Sequence, residues 1–98
     1  MEKGTPHCRL SKVRALLEAG RVRSTGSALA DAAALGLDFD LMLEVVHALD
    51  SRDFHKSMTT QADHRIWQDV YRPSTCFGRV YLKLTVIDDV LIVSFKEL

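Results

Sequence analysis

The alternation of apolar and polar residues is most regular in the last sixth of the chain. Residues 80–87 and 90–96 are rich in Val, Ile and Leu and flank the Asp88-Asp89 pair, which is the pattern of a β-hairpin with a short polar turn. A two-residue turn places Tyr81 opposite Lys96. Because side chains alternate across a strand, one face of the hairpin is wholly apolar and is predicted to lie on the core: Val80, Leu82, Leu84, Val86, Leu91, Val93 and Phe95.

The other face of the hairpin is polar and holds the first candidate for chemistry. It carries Tyr81, Lys83, Thr85, Ser94 and Lys96. Directly opposed residues have Cβ atoms roughly 4.5–5.5 Å apart, so the phenol of Tyr81 and the ammonium group of Lys96 are predicted to meet at the open end of the hairpin. A solvated strand face that simply carries polar side chains is the alternative interpretation.

The first half of the chain shows apolar residues at helical spacing in three segments. The first helix is predicted over residues 6–19, with Thr5 as its N-cap and Pro6 in its first turn. The second is predicted to run to Leu35 and the third to end near Leu49. Their candidate N-caps are side chains that accept the free N–H groups of a first turn: Ser24, Thr25 or Ser27 for the second helix, and Asp38 or Asp40 for the third.

Helical periodicity gives way to strand patterns after residue 53. Residues 54–60 and 64–72 are predicted strands, and Pro73 either ends the second of them or lies at a sheet edge. Residues 74–78 are predicted to form a loop before the hairpin. Helices followed by antiparallel strands predict an α+β fold, with three N-terminal helices packed on one face of a mainly antiparallel sheet. Residues 1–98 are predicted to form a single domain.

The composition is that of a globular protein, with 47% hydrophobic and 27% charged residues. No apolar run approaches the roughly 20 residues that span a bilayer, and the first residues lack the apolar centre of a signal peptide. We therefore expect a cytoplasmic protein without a membrane partner. Cys8 and Cys76 are far apart, and the four histidines show no metal-ligand spacing. Reduced thiols are expected, and neither a metal nor a cofactor.

The formal net charge is zero, but the charges are unevenly distributed. Cations dominate residues 1–23, and acidic side chains dominate residues 31–53. A basic segment attracts phosphates, whereas a solvated charged face is the alternative. Zero net charge weakens a prediction of nucleic-acid binding that is based on charge alone.

The sequence has no Gly-rich phosphate loop, no G-x-S-x-G elbow and no H-E-x-x-H motif. One polar residue from each predicted strand remains as a candidate site: Lys56, Gln68, Tyr81 and Lys96. Two ammonium groups stabilise charge on phosphoryl oxygens, and a glutamine adds a neutral donor and acceptor. Cations also favour the phenolate form of a nearby phenol. Such a group suits an oxyanion or a phosphodiester better than a carbonyl.

Several long stretches carry a resemblance to a known family. The main ones are residues 56–60, 66–73, 80–87 and 89–97, with shorter matches at residues 5–7, 27–29 and 36–40. They closely resemble the MqsR toxins, the motility and quorum-sensing regulator family of bacterial mRNA interferases. The likeness covers essentially the whole chain, and such long blocks are more specific than a short motif.

The resemblance implies a RelE/YoeB-like α+β toxin fold. It implies a metal-independent and ribosome-independent endoribonuclease that cleaves single-stranded mRNA at GC-containing triplets such as GCU, which inhibits translation and growth. It also implies a cognate MqsA-type antitoxin with a zinc-binding part and a helix-turn-helix part that binds DNA, so any zinc belongs to the partner. The family's proposed catalytic residues fall on Lys56, Gln68, Tyr81 and Lys96, and all four are retained. The near-neutral charge and the poorly matched residues 74–77 are departures.

The predicted reaction is attack of a ribose 2′-OH on the adjacent phosphorus, which leaves a 2′,3′-cyclic phosphate and a 5′-OH. Tyr81 or Lys56 would shuttle protons, Lys96 would stabilise the phosphorane, and Gln68 would orient the phosphate or a base. Arg72 is a further candidate for substrate binding through phosphate. The alternative function is a non-enzymatic binding module that acts as a transcription co-regulator within an antitoxin complex, and a ribosome-dependent nuclease is a third interpretation.

Overall fold

The structure, a computed structural model, describes all of residues 1–98. Three helices occupy the first half: α1 (Leu10–Glu18), α2 (Gly26–Ala34) and α3 (Phe39–His47). The Thr25 hydroxyl caps α2 by accepting the Ala28 N–H at 3.1 Å, and the Asp38 carboxylate caps α3 by accepting the Leu41 N–H at 2.9 Å. Both caps were among the predicted candidates. No helix is long and apolar enough to cross a membrane.

The first helix is shorter than predicted, and its predicted cap is wrong. It begins at Leu10 rather than at residue 6, so Thr5 lies outside it. The Asp69 carboxylate accepts the backbone N–H groups of His7 at 2.9 Å and Cys8 at 3.0 Å. These bonds tie residues 7 and 8 to a strand that is distant in the sequence, and the extended backbone of Arg9 (φ −68°, ψ 142°) makes that residue the N-cap.

The strands form a mixed sheet that is larger than predicted. They are β1 (Glu2–Lys3), β2 (Val22–Ser24), β3 (Phe54–Thr59), β4 (Trp67–Tyr71), β5 (Ser74–Thr75), β6 (Gly78–Val86) and β7 (Val90–Glu97). Their order is β1-β3-β4-β6-β7-β2, and β5 pairs with β6 outside this path. Only β2 and β7 pair in parallel.

The α+β class is confirmed, but three strands were not predicted. They are β1, β2 and β5, of which β5 lies inside the predicted loop of residues 74–78. The strand predicted over residues 64–72 is limited to β4. A single turn of 3-10 helix, Ser51–Asp53, joins α3 to the sheet.

The terminal hairpin departs from its predicted two-residue turn. Val86 pairs with Val90, so residues 87–89 form the turn. The register then shifts once at Val93, which has no partner on β6. The longer turn shifts the pairing by one residue relative to the prediction, and the bulge at Val93 shifts it back. Tyr81 therefore lies opposite Lys96, as predicted.

The slip decides which side chains of β7 are buried. Val90 and Ile92 are fully buried, whereas Leu91 and Val93, which were predicted to face the core, are only half-buried. A shift of one residue moves side chains to the other face of a strand. Beyond the bulge the predicted alternation returns, and Phe95 is fully buried.

The main hydrophobic cluster joins side chains of all three helices to one face of the sheet. The helices and the segments that follow α2 and α3 contribute Val13, Ala28, Ala32, Leu37, Met42, Val46 and Leu49. The strands contribute Tyr71, Val80, Leu82, Leu84, Val90, Ile92 and Phe95. We call the sheet face that carries these strand residues the inward face, and the opposite one the outward face.

Candidate functional site

The four predicted site residues lie on strands that are consecutive in the sheet: Lys56 on β3, Gln68 on β4, Tyr81 on β6 and Lys96 on β7. The register shows that they share the outward face. Val70 pairs with Lys56 on one side and with Lys83 on the other. Residues two apart along a strand point the same way, so Gln68 and Tyr81 lie on this face too.

Tyr81 and Lys96 are in contact. They are direct partners in the β6–β7 register, and the Lys96 Nζ lies 5.4 Å from the centroid of the Tyr81 ring. The Nζ of Lys83, two residues along β6, lies 5.9 Å from the same centroid. Two ammonium groups thus lie within about 6 Å of the Tyr81 ring centroid, and such a group of cations can bind an oxyanion.

Lys56 is held by a carboxylate from the unpredicted strand β1. Its Nζ lies 2.7 Å from Glu2 Oε1. Glu2 pairs with Met58 in the β1–β3 register, which brings its side chain to the outward face. The hydrogen bond and charge of Lys56 lower the pKa of Glu2 below its usual value. Lys56 is therefore an ion-paired cation on the outward face.

Gln68 shares the face but stands apart from Tyr81. It pairs with Met58 on β3, and the β4–β6 register, continued by one residue, places it opposite Thr85. Four residues separate Thr85 from Tyr81, which is roughly 13 Å along a strand. The structure therefore brings Tyr81 and Lys96 together, places Lys56 two strands away, and puts Gln68 at the far end of the same face.

Arg72 directly follows β4 and lies near the phenol. Continuing the β4–β6 register by one residue places it beside Tyr81. Its Nη2 donates to His55 Nε2 at 2.8 Å, and its backbone N–H donates to the Asp53 carbonyl at 2.7 Å. A guanidinium is a group that binds phosphate well, and phosphate binding by Arg72 stays a prediction.

Three polar residues of the site were not among the predicted site residues. Lys83 was placed on the polar face of the hairpin with Tyr81 and Lys96 but was not selected. Glu2 belongs to a strand too short to show alternation. His55 reaches the site through a bulge between Phe54 and Lys56, and no sequence pattern marks a bulge of this kind.

Cations gather on the outward face of the sheet. It carries Lys56, Arg72, Lys83 and Lys96, against the carboxylate of Glu2. The acidic side chains Asp31, Asp38, Asp40 and Glu44 lie on or next to α2 and α3. A net charge of zero therefore conceals a basic sheet face, which attracts phosphate groups.

The outward face can bind a phosphodiester and move protons, since it combines ammonium and guanidinium groups with a phenol and an imidazole. No three His, Cys, Asp or Glu side chains lie close enough together to hold a metal ion. Cys8 and Cys76 are not joined by a disulfide.

The fold and the site define a small α+β protein with a cationic, phenol-bearing sheet face. A family model described as "Motility quorum-sensing regulator, toxin of MqsA" matches residues 5–97. A protein of Escherichia coli (strain K12), named mRNA interferase toxin MqsR, is 65% identical over 97 residues, which cover 99% of this chain and 99% of that protein. The chain belongs to the MqsR toxin family, and the resemblance found in the sequence is confirmed.

Proposed function

We propose that this protein is the toxin of a toxin–antitoxin system and acts as an endoribonuclease on single-stranded mRNA. The cut is made at GC-containing triplets such as GCU, without a metal ion and without the ribosome. It inhibits translation and growth. The relative's name, mRNA interferase toxin MqsR, supports the reaction class.

The observation that carries the proposal is the pairing of Tyr81 with Lys96 on a cationic face. The ammonium group lies 5.4 Å from the ring centroid, and that of Lys83 lies 5.9 Å from it. A phosphorane has more negative charge than the phosphodiester from which it forms. Fixed cations therefore stabilise the transition state more than the ground state.

The proposed reaction is attack of a ribose 2′-OH on the adjacent phosphorus, which gives a 2′,3′-cyclic phosphate and a 5′-OH. Lys96 stabilises the phosphorane, Tyr81 or Lys56 transfers protons, and Arg72 binds the phosphate. Gln68 stands at the far end of the outward face, which fits contact with a neighbouring base or phosphate better than with the scissile one.

Cleavage of a defined single-stranded RNA in the presence of chelator, with mapping of the new ends, tests this function. We expect cuts with cyclic phosphate ends. Lys96→Ala and Tyr81→Phe should each lower the rate at least about 100-fold, with circular dichroism and melting temperature close to wild type. Lys12→Ala removes a lysine from α1 and serves as the matched control. Wild-type cleavage by both folded variants would reject the site.

The same assay separates the rival functions. Intact RNA in every condition favours a binding module that acts as a co-regulator, and cleavage only after ribosomes are added favours a ribosome-dependent nuclease. RNAs that differ in a single GCU triplet test the sequence preference.

The remaining parts of the proposal concern partner, place and fold class. The family description names a toxin of MqsA, and we propose an MqsA-type antitoxin partner with a zinc-binding part and a DNA-binding helix-turn-helix part. Residues 1–98 act as one mRNA interferase domain of RelE/YoeB-like fold. The cytoplasm, where mRNA is translated, is the proposed location.

A further inference from the structure

His55 is the extra residue of a bulge at the start of β3. The β3–β4 register shifts between Phe54 and Lys56. Phe54 packs edge-on against the inward Tyr71 at 5.5 Å between ring centroids, while Lys56 points outward. The His55 imidazole accepts a hydrogen bond from Arg72 Nη2 at 2.8 Å through Nε2, so it lies on the outward side with Lys56.

This contact extends the Tyr81–Lys96 pair into a line of four groups. His55 contacts Arg72, Arg72 lies beside Tyr81 in the continued register, and Tyr81 is paired with Lys96. Neighbouring strands are about 4.8 Å apart, so the His55 and Tyr81 backbones are separated by roughly 10 Å, with the Arg72 backbone between them. A phosphate bound to Arg72 would therefore lie between the strand positions of His55 and Tyr81.

The hydrogen bond fixes the protonation state of His55. A guanidinium only donates, so the Nε2 that accepts from Arg72 carries no proton and the imidazole is neutral. Desolvation lowers the pKa of His55, the charges of Arg72 and Lys56 lower it further, and Glu2 opposes them. His55 Nε2 is therefore a free base that can accept a proton.

We propose, on the basis of the nuclease function above, that His55 is the general base of the reaction and that Arg72 holds it ready. A bound phosphate draws the Arg72 guanidinium onto its oxygens and exposes His55 Nε2. The 2′-O–H bond then breaks with its proton passing to Nε2, the O2′–P bond forms, and the P–O5′ bond breaks. The leaving oxygen takes a proton from the Tyr81 hydroxyl, and the resulting phenolate is stabilised by the flanking ammonium groups. The imidazolium and the phenolate return to their starting forms by exchange with water.

The test is the pH dependence of kcat/KM for cleavage of a defined single-stranded RNA in the presence of chelator. Wild type should lose activity as the pH falls, with a midpoint below the ordinary value of 6.5 for histidine, because protonated His55 cannot accept the 2′-OH proton. His55→Gln keeps a polar partner for Arg72 but does not titrate. It should cut at least about 100 times more slowly at pH 7.5 and lack the acidic limb. Its binding of an uncleavable 2′-O-methyl RNA should stay within about twofold of wild type, because the cations that bind the phosphates remain.

The outcomes separate this inference from the proposed function. His64→Gln, a change at an exposed turn residue, is the matched control and should behave as wild type. If His55→Gln cuts at the wild-type rate, or is slow but keeps the acidic limb, His55 is not the base. If Lys96→Ala is inactive at the same time, the nuclease assignment still stands. A wild-type protein that leaves RNA intact overturns both.

Discussion

Neighbouring residues of the same strand lie on opposite faces of the sheet and differ sharply in burial. On β7, Phe95 points inward and is fully buried, while the next residue, Lys96, points outward and is exposed. On β4, Asp69 is inward and 5% exposed, while Gln68 is outward. Inward side chains meet fixed partners within the protein, and most outward ones meet solvent or each other. The inward face thus determines stability, and the outward face is available for binding and chemistry.

Val70 shows that the two faces of the sheet do not differ simply as one apolar and one polar surface. It is fully buried on the outward face, where Lys56 and Lys83 are its direct neighbours. Long lysine side chains cover apolar surface with their methylene groups while the ammonium ends remain in water. The outward face is therefore not purely polar, since a buried valine lies between two of its lysines.

The largest expected effect comes from Phe95→Ala, compared with Lys96→Ala at the next position. Phe95 belongs to the main hydrophobic cluster, and removing a buried phenylalanine costs about 3–5 kcal/mol of unfolding free energy. Lys96 is exposed, so its removal should change that free energy by no more than about 0.5 kcal/mol. Urea unfolding of both variants measures the difference. Equal losses of stability would mean that the two faces are not distinct in energy.

The sequence predicted the parts of the fold that rest on local patterns. Both helix caps, Thr25 and Asp38, and the strand alternation of β6 follow from side-chain chemistry and from period-two burial. The Tyr81–Lys96 pair was predicted from a two-residue turn, whereas the structure has a three-residue turn and a compensating bulge at Val93. The apolar pattern of β7 is compatible with either register, so it could not distinguish them.

The missed features depend on contacts between distant parts of the chain. The bulge at Val93 is fixed in part by Thr25, whose hydroxyl donates to the Val93 carbonyl at 3.0 Å. Strands β1 and β2 have two and three residues and form only because β3 and β7 offer them partners. His55 and Glu2 entered the candidate site through such features. Tertiary contacts of this kind leave no periodic signal in the sequence.

A smaller effect is expected from Asp69→Ala, compared with Gln68→Ala. The Asp69 carboxylate accepts two backbone N–H groups, from His7 and Cys8. Its removal leaves both donors without their partner and should cost about 2 kcal/mol, whereas Gln68→Ala should cost less than about 0.5 kcal/mol. Hydrogen exchange at these two amides, measured together with urea unfolding, should show faster exchange only in Asp69→Ala. Unchanged protection would show that the N-terminal segment is held by other contacts.

The smallest effect is expected at the edge of the sheet, where the charge pair of Arg23 and Asp89 ties β2 to the hairpin turn. Arg23 Nε lies 2.7 Å from Asp89 Oδ2, and this hydrogen bond is the main reason why the pKa of Asp89 lies below its usual 3.8. A carboxylate with a lowered pKa stabilises the fold above its unfolded pKa, and this contribution is lost as the pH falls through the folded pKa. Asp89→Asn should therefore lower the melting temperature at pH 7 by less than Asp69→Ala does, since exposed pairs contribute little.

The difference in melting temperature between Asp89→Asn and wild type should shrink below pH 3.8, as Asp89 becomes protonated, and also in high salt. A difference that persists unchanged at pH 2 would mean that the carboxylate acts through packing or hydrogen-bond geometry rather than through its charge. The β2 edge of the sheet would then stabilise the fold as the inward face does, through packing and fixed contacts rather than through charge.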